Sequence, residues 1–297
     1  MTNATKVTVV GLGAMGLPMA THLIESFAVT VFDINPDALA KAAEAGATPA
    51  TSLRSASEGA DVVVLIVRDA TQLDAALFGS GGVADSLTPG AVVVITSTVG
   101  ETALVRAAEL LSGRGLLCVD AALSGGPVRA GRGDLLIMVG GSAAARTAAQ
   151  PVLDALASTL CVVGERVGQG QQLKVVNQLL CGIHTAAAAE SLALAHRLGL
   201  DLDMVIDVLG GGAAASFMLA DRGPRIAQQL RGETPPLRSR LDVIGKDMGI
   251  VGDVAREQKV SVPVASAAEQ LYRMGEAAGL AAEDDSIIAT LFAAVER

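Results

Sequence analysis

The chain has 297 residues, 51% of them hydrophobic, enough to bury one large core or two ordinary ones. A formal net charge of −9 argues against a nucleic-acid footprint, and aromatics at 2% with no tryptophan argue against a platform for stacking bases. Any anionic substrate must therefore be held by a few local cations rather than by a basic surface.

The first residues carry no apolar signal segment, and the longest apolar run, Asp61 to Val67, is too short to span a bilayer. A cytoplasmic protein with no membrane partner is expected. Cys118, Cys161 and Cys181 have no metal-ligand spacing and read as buried thiols in a reducing compartment. His22, His184 and His196 form no metal spacing either, so no metal site is expected.

In chain order, the first apolar run, Val7 to Val10, leads straight into Gly11-Leu12-Gly13-Ala14-Met15-Gly16 and a helical stretch from Met15 to Ser26. A strand that turns at Gly11, admits a pyrophosphate at Gly13 and packs a helix closely at Gly16 is the dinucleotide-binding arrangement. Asp33 ends the second apolar run, Val29 to Phe32, where a carboxylate accepts hydrogen bonds from ribose hydroxyls and repels a 2′-phosphate. No arginine or lysine lies between Asp33 and Ala40, so NAD is expected rather than NADP. The alternative for Asp33 is a capping acid ahead of the helix at Pro36.

Further runs follow at Val62 to Val67, Val92 to Ile95, Leu116 to Val119, Leu135 to Val139 and Leu160 to Val163, alternating with helical segments. Such continuous runs predict parallel strands covered on both faces, with ligands at their carboxyl ends. After Gly164 the strand pattern stops. The expected fold is α/β: a Rossmann-type doubly wound sheet over residues 1–164, then an all-α domain over 165–297 for substrate binding and oligomerisation. Its central helix runs from Gly170 to about Leu198 and is closed by Gly199. Helices are also expected over Leu202 to Leu209, Ser239 to Gln258, Val264 to Met274 and Ser286 to Val295. So apolar a central helix implies packing on several sides, including against a partner subunit, so a homodimer or homotetramer is expected.

Several residues could carry chemistry. Thr96-Ser97-Thr98 lies at the carboxyl edge of the sheet, where a nicotinamide would sit; the alternative is capping of the helix near Gly100. Ser124-Gly125-Gly126 offers a hydroxyl and unobstructed amides suited to a carboxylate, or else is a connection that needs glycine torsions. Lys174 lies one turn into the long helix, where the chain passes between the two domains. A lysine buried in such a cleft can exchange a proton with an alcohol. Its neighbours Leu173, Val175, Val176, Leu179 and Leu180 argue against a solvated surface charge. Asn177 and Gln178, at i+3 and i+4, could orient the lysine or the substrate. Lys246-Asp247 could bring a second cation to the cofactor or form a surface ion pair.

These residues together resemble the β-hydroxyacid dehydrogenases, relatives of 3-hydroxyisobutyrate dehydrogenase, along nearly the whole chain. Gly11 to Ala20 resembles the family's G-L-G-x-M-G-x-P-M-A, Asp120 to Gly126 its D-A-P-V-S-G-G, Gly168 to Gln178 its G-x-G-x-x-x-K-x-x-N-[NQ], and Lys246-Asp247 its K-D. The resemblance implies that Lys174 is the acid/base and that Ser124, Gly125 and Gly126 hold the substrate carboxylate. It places Asn177 or Gln178 beside the reacting oxygen, and Thr98 and Lys246 against the cofactor. Ala122, His22 and Gln178 depart from common family residues, which bears on the substrate more than on the reaction. Within the family, Asn177 to His184 followed by Ala186 to Glu190, and the ending Glu283 to Ser286, are most similar to the L-threonate dehydrogenase group.

The expected activity is hydride transfer between NAD and a small hydroxy acid such as L-threonate. The rivals are a 3-hydroxyisobutyrate, tartronate semialdehyde or succinic semialdehyde type of reductase, imine reduction on the same fold, and a non-catalytic NAD-binding module. Relatives that reduce imines generally lack the lysine, so Lys174 argues against that rival.

Overall fold

The structure, a computed structural model, describes residues 5–293. The described residues form two compact units, divided between Lys174 and Val175.

In the first unit, strands β1 (Lys6–Val10), β2 (Ala28–Phe32), β3 (Thr48–Pro49), β4 (Val62–Leu65), β5 (Val92–Ile95), β6 (Leu117–Ser124), β7 (Leu135–Gly140) and β8 (Ala157–Gly164) form one sheet in the order β3-β2-β1-β4-β5-β6-β7-β8. The order reverses direction at β1, which makes the sheet doubly wound and places a crevice at the carboxyl end of β1. Side chains alternate between two cores. Val62, Val64, Val92 and Val94 pack on one face with Met19 and Leu23. Val63, Leu65, Val93 and Ile95 pack on the other with Leu73, Leu77, Leu104 and Leu111.

The helices of this unit are α1 (Gly16–Leu23), α2 (Pro36–Glu44), α3 (Leu53–Ser57), α4 (Ala70–Phe78), α5 (Glu101–Ser112), α6 (Gly126–Ala130) and α7 (Ala143–Leu156). In α1 the buried residues Gly16, Met19, Ala20 and Leu23 form a single i, i+3, i+4, i+7 stripe.

The strand pattern differs from the all-parallel expectation in one place. β6 and β7 are antiparallel, pairing Asp120 with Gly140 through to Ser124 with Leu136. The chain from Gly125 to Asp134 holds only the short α6, too little for a parallel crossover, so it must return as a hairpin. β6 is also longer than its apolar core suggests. Asp120 sits in mid-strand, opposite Ile95 on one side and Gly140 on the other, and the strand continues beyond it against β7 alone.

Helix α8 (Gln169–Arg197) follows, and the division between the units falls after its residue Lys174. Gly199 closes it with φ +74. The second unit continues with α9 (Leu202–Gly210), α10 (Phe217–Leu230), α11 (Leu241–Glu257), α12 (Pro263–Ala277), a 3₁₀ turn at Asp285–Ala289 and α13 (Thr290–Ala293). The helix expected over Ser286 to Val295 is thus half 3₁₀ turn, and Val295 lies outside the described residues. The core gathers Ala189, Leu192, Ile226, Leu241, Met248 and the fully buried Tyr272. Tyr272 donates its hydroxyl to the Gly182 carbonyl at 2.6 Å. A Cβ on Gly182 would meet Met248 Sδ at 2.1 Å, so α8 must be bare there. Among the described residues no helix is long and apolar enough to cross a membrane.

Candidate active site

At the carboxyl end of β1, Gly11 has φ +94, and a Cβ there would meet the Ile66 carbonyl oxygen at 2.0 Å. A Cβ on Gly16 would meet the Gly11 oxygen at 1.9 Å, so strand and helix approach as closely as bare backbone allows. Gly13 differs: a Cβ there would meet nothing within 4 Å, leaving open space over the turn. No side chain caps α1 at Met15. An open glycine beside an uncapped helix start fits a pyrophosphate.

Asp33 follows β2. Its Oδ2 accepts the Leu12 amide at 2.5 Å and its Oδ1 the Asn35 amide at 2.7 Å. The cap of α2 is Asn35, whose side chain accepts from Asp37, so Asp33 is not a capping acid. The carboxylate is instead fastened to the glycine turn. Leu12 is buried in the core with its amide taken by Asp33, whereas Ala14 is exposed on the turn and Met15 is half-buried. The glycine turn and Asp33 fit a nicotinamide dinucleotide.

Thr96 and Ser97 are buried and structural. Thr96 Oγ1 donates to the Leu65 carbonyl at 3.2 Å, and Ser97 Oγ accepts the Val67 amide at 2.7 Å, so both hydroxyls tie the end of β5 to that of β4. The residue capping α5 is Gly100, with no side-chain cap bond. Thr98 lies half-buried in the turn between.

Two residues that carried no individual role in the sequence organise the start of α8. Asp120, fully buried, accepts through Oδ2 the amides of Gly168 at 3.1 Å and Gln171 at 2.9 Å. Burial pushes its carboxyl up to about 6, against the opposing pull of those amides. Gln171, also fully buried, accepts through Oε1 the amides of Val99 at 3.1 Å and Gly100 at 3.3 Å, and donates Nε2 to the Ser97 carbonyl at 3.1 Å. Each such backbone group would cost about 1–3 kcal/mol if left unmet in the interior. A polar residue on the buried side of an apolar helix was the available signal for Gln171. Gly170 must be bare, since a Cβ would meet the Met138 oxygen at 2.5 Å and Asp120 Oδ2 at 2.9 Å.

Lys174, at 7% exposure, is buried, and its Nζ donates to the Leu123 carbonyl at 2.8 Å. Leu123 immediately precedes Ser124-Gly125-Gly126. The structure thus brings the lysine head and the start of that turn together. Gly125 and Gly126 have φ +139 and +76, so the turn requires glycine whatever else it does. A Cβ on Gly126 would meet nothing within 4 Å, so its backbone is approachable.

In the second unit, Asn177 Nδ2 donates to Gln178 Oε1 at 2.9 Å and to Cys181 Sγ at 3.3 Å. Gln178 Nε2 donates to Asp247 Oδ2 at 2.5 Å, and Lys246 Nζ lies 2.9 Å from Asp247 Oδ1. Asp247 is buried on the apolar stripe of α11 with Ile244, Met248 and Val251. The pair is therefore no simple surface contact; Asp247 joins Gln178 to Lys246.

The cysteines are less uniform than expected. Cys118 is buried, and burial, with Asp120 adding, pushes its thiol up to about 12, while Cys161 and Cys181 are partly accessible. Among the described residues no cluster of His, Cys, Asp and Glu could hold a metal.

Residues 6–164 match a family model described as the NAD binding domain of 6-phosphogluconate dehydrogenase, and residues 168–292 one described as NAD-binding of NADP-dependent 3-hydroxyisobutyrate dehydrogenase. The L-threonate dehydrogenase of Cupriavidus necator is 39% identical over 98% of this chain and 97% of its own. The chain belongs to the β-hydroxyacid dehydrogenase family. It is an NAD-dependent hydroxyacid dehydrogenase. The L-threonate dehydrogenase of Pectobacterium atrosepticum is 38% identical over 96% of this chain and 93% of its own. A crystal structure described as 3-hydroxyisobutyrate dehydrogenase from Salmonella typhimurium superposes with a TM-score of 0.90 at 36% identity, covering 97% of this chain and 99% of that one.

Proposed function

We propose that this dehydrogenase oxidises L-threonate or a closely similar sugar acid, that it prefers NAD to NADP, and that Lys174 is its acid/base. The observation that carries the mechanism is the bond from Lys174 Nζ to the Leu123 carbonyl, one residue before the Ser-Gly-Gly turn. A neutral amine has two N–H bonds and one lone pair. The N–H directed to Leu123 holds the amine beside that turn, where the substrate is to bind.

Ser124 Oγ and the amides of Gly125 and Gly126 take the substrate carboxylate, which fixes the carbon bearing the hydroxyl. As the hydroxyl proton passes to Lys174 Nζ, the C–H electron pair leaves as hydride and a C=O bond forms. NAD, when bound, supplies the hydride acceptor. In the reverse direction the Lys174 ammonium returns the proton to the alkoxide oxygen. As the family resemblance implies, we assign Asn177 or Gln178 to that oxygen, the two side chains being joined to each other and, through Gln178, to Asp247, and we assign Lys246 and Thr98 to the cofactor. Gly11 to Gly16 would hold the pyrophosphate and Asp33 the adenosine ribose.

Preference for NAD rests on Asp33 and on the absence of cations from Ile34 to Leu39. L-Threonate is favoured because relatives of that name match over nearly the whole chain. The chain also forms a homodimer or homotetramer through α8. Val176, Leu180, Leu194 and Leu198 are each about half exposed or more, and with His184, Ala187 and Ser191 they fall three or four residues apart along a single stripe. Exposed aliphatic side chains at both ends of such a stripe support this assembly.

The test is NADH formation from NAD with a panel of three- to five-carbon hydroxy acids that includes L-threonate and 3-hydroxyisobutyrate. The highest kcat/KM is expected for L-threonate or another polyhydroxy acid. A highest value for 3-hydroxyisobutyrate would overturn the substrate assignment, and NADH from none of them would overturn the reaction.

A further inference from the structure

We propose that Gln171 is a positioning residue for proton transfer, coupling the turn that carries Thr98 to the helix turn that carries Lys174; this rests on the reading of Lys174 as the acid/base.

The geometry concentrates three constraints on one side chain. Gln171 is fully buried, and its carboxamide makes the bonds to Val99, Gly100 and the Ser97 carbonyl described above, which fix both the entry and the exit of the turn around Thr98. Its backbone amide is held by Asp120 of β6. Lys174 is three residues further on, on the same side of the same helix, and returns to β6 through Leu123, three residues beyond Asp120. The lysine is thus supported from β5 through the Gln171 side chain and from β6 through the Gln171 backbone.

A glutamine is well suited to this junction. One face of its amide accepts two N–H groups while the other donates to a carbonyl, a combination that neither a carboxylate nor an apolar side chain of that size provides. Without it, Ser97 to Gly100 would lose the contacts that hold it to α8, and the first turn of α8 would lose its tie to β5. The expected fault is in the placement of the Lys174 amine relative to a substrate hydroxyl. A displacement of about 1 Å at a reacting group is enough to lower a rate on the order of a hundredfold.

A buried glutamine could also serve stability alone, so the test must separate the roles. Gln171→Met, Gln171→Glu, Lys174→Ala and the double variant Gln171→Met/Lys174→Ala are compared by kcat per NADH-binding site, the sites being titrated by NADH fluorescence. Counting only competent sites removes any loss from partial unfolding. Gln171→Met should lower kcat per site by about 10- to 100-fold while changing the NADH dissociation constant less than about threefold. Gln171→Glu keeps the two acceptor bonds and should retain more activity than Gln171→Met. In the Lys174→Ala background the Met substitution should cost less than about threefold, because a residue that acts by placing Lys174 has nothing left to place.

A kcat per site within twofold of the parent for Gln171→Met would overturn the proposal. So would the same fold-loss in both backgrounds, which would mean that Gln171 acts independently of the lysine. Near-normal kcat in Lys174→Ala by itself would instead sink the acid/base reading, and this proposal with it.

Discussion

The carboxylate of Asp120 accepts the backbone amide of Gln171 at 2.9 Å from the middle of β6, so a buried acid on the sheet holds the start of the long helix. Its second oxygen, Oδ1, is buried with no hydrogen-bond partner among the described residues, which fits a group whose ionisation is resisted. The folded carboxyl, at about 6, lies above the value of 3.8 expected when unfolded. Stability from this group is therefore full below the unfolded value and is lost as pH rises through about 6. Urea unfolding of the parent and Asp120→Asn should show the parent gaining, relative to the variant, roughly 2 kcal/mol between pH 8 and pH 4. A difference that does not change with pH, or that changes in the opposite sense, would contradict this.

The three glycines of the cofactor turn should fail in different ways. Gly13 faces open space, so Gly13→Ala should leave the melting temperature within a few degrees of the parent while weakening NADH binding tenfold or more, since the methyl takes the room of the pyrophosphate. Gly16→Ala forces a Cβ against the Gly11 carbonyl and should destabilise the fold itself, by more than about 2 kcal/mol. Thermal melts paired with fluorescence titration distinguish the two. Equal NADH affinity in Gly13→Ala would place the pyrophosphate elsewhere.

Cofactor preference should respond to two adjacent substitutions. Ile34 is 90% exposed, so Ile34→Arg meets no packing obstacle and supplies a phosphate partner, while Asp33→Ser removes the repulsion. The double variant should favour NADP in kcat/KM. It should also lose about 1 kcal/mol of stability, because Asp33 holds the amides of Leu12 and Asn35. Comparable kcat/KM for both cofactors in the parent would contradict the role given to Asp33.

The stripe on α8 predicts an assembly. Light scattering at micromolar concentration should give a multiple of the chain mass, and Leu194→Glu/Leu198→Glu should shift it toward monomer by placing charges in an apolar contact. A stable, active parent monomer would contradict it.

Much of the first unit was legible because its strands are short apolar runs between helices, and the glycine turn has a spacing that few other structures need. Less visible were features where polar residues lie inside. Asp120 reads as the end of a strand, yet it is mid-strand, its carboxylate met by the amides of Gly168 and Gln171. Helix α10 escaped notice because Gly223 and Pro224 interrupt it and its buried face includes Arg225. That arginine is neutralised by Asp284, its Nε 2.9 Å from Oδ1, a partner nearly sixty residues away that no local pattern reveals. The partners of Gln171 were hidden for the same reason, since they lie at another strand's exit. Lys174 was the exception, because its spacing from the glycines and its apolar neighbours mark it in the sequence as well.

Lys174 offers the most direct measurement. Steady-state turnover of the best hydroxy acid should fall by about two to four orders of magnitude in Lys174→Ala, with NADH affinity little changed because Asp33 and the glycine turn bind the other half of the cofactor. Lys174→Arg should not restore activity, since a guanidinium does not release its proton near neutral pH. Near-normal kcat in the alanine variant, with NADH bound as in the parent, would contradict the assignment of Lys174 as the acid/base.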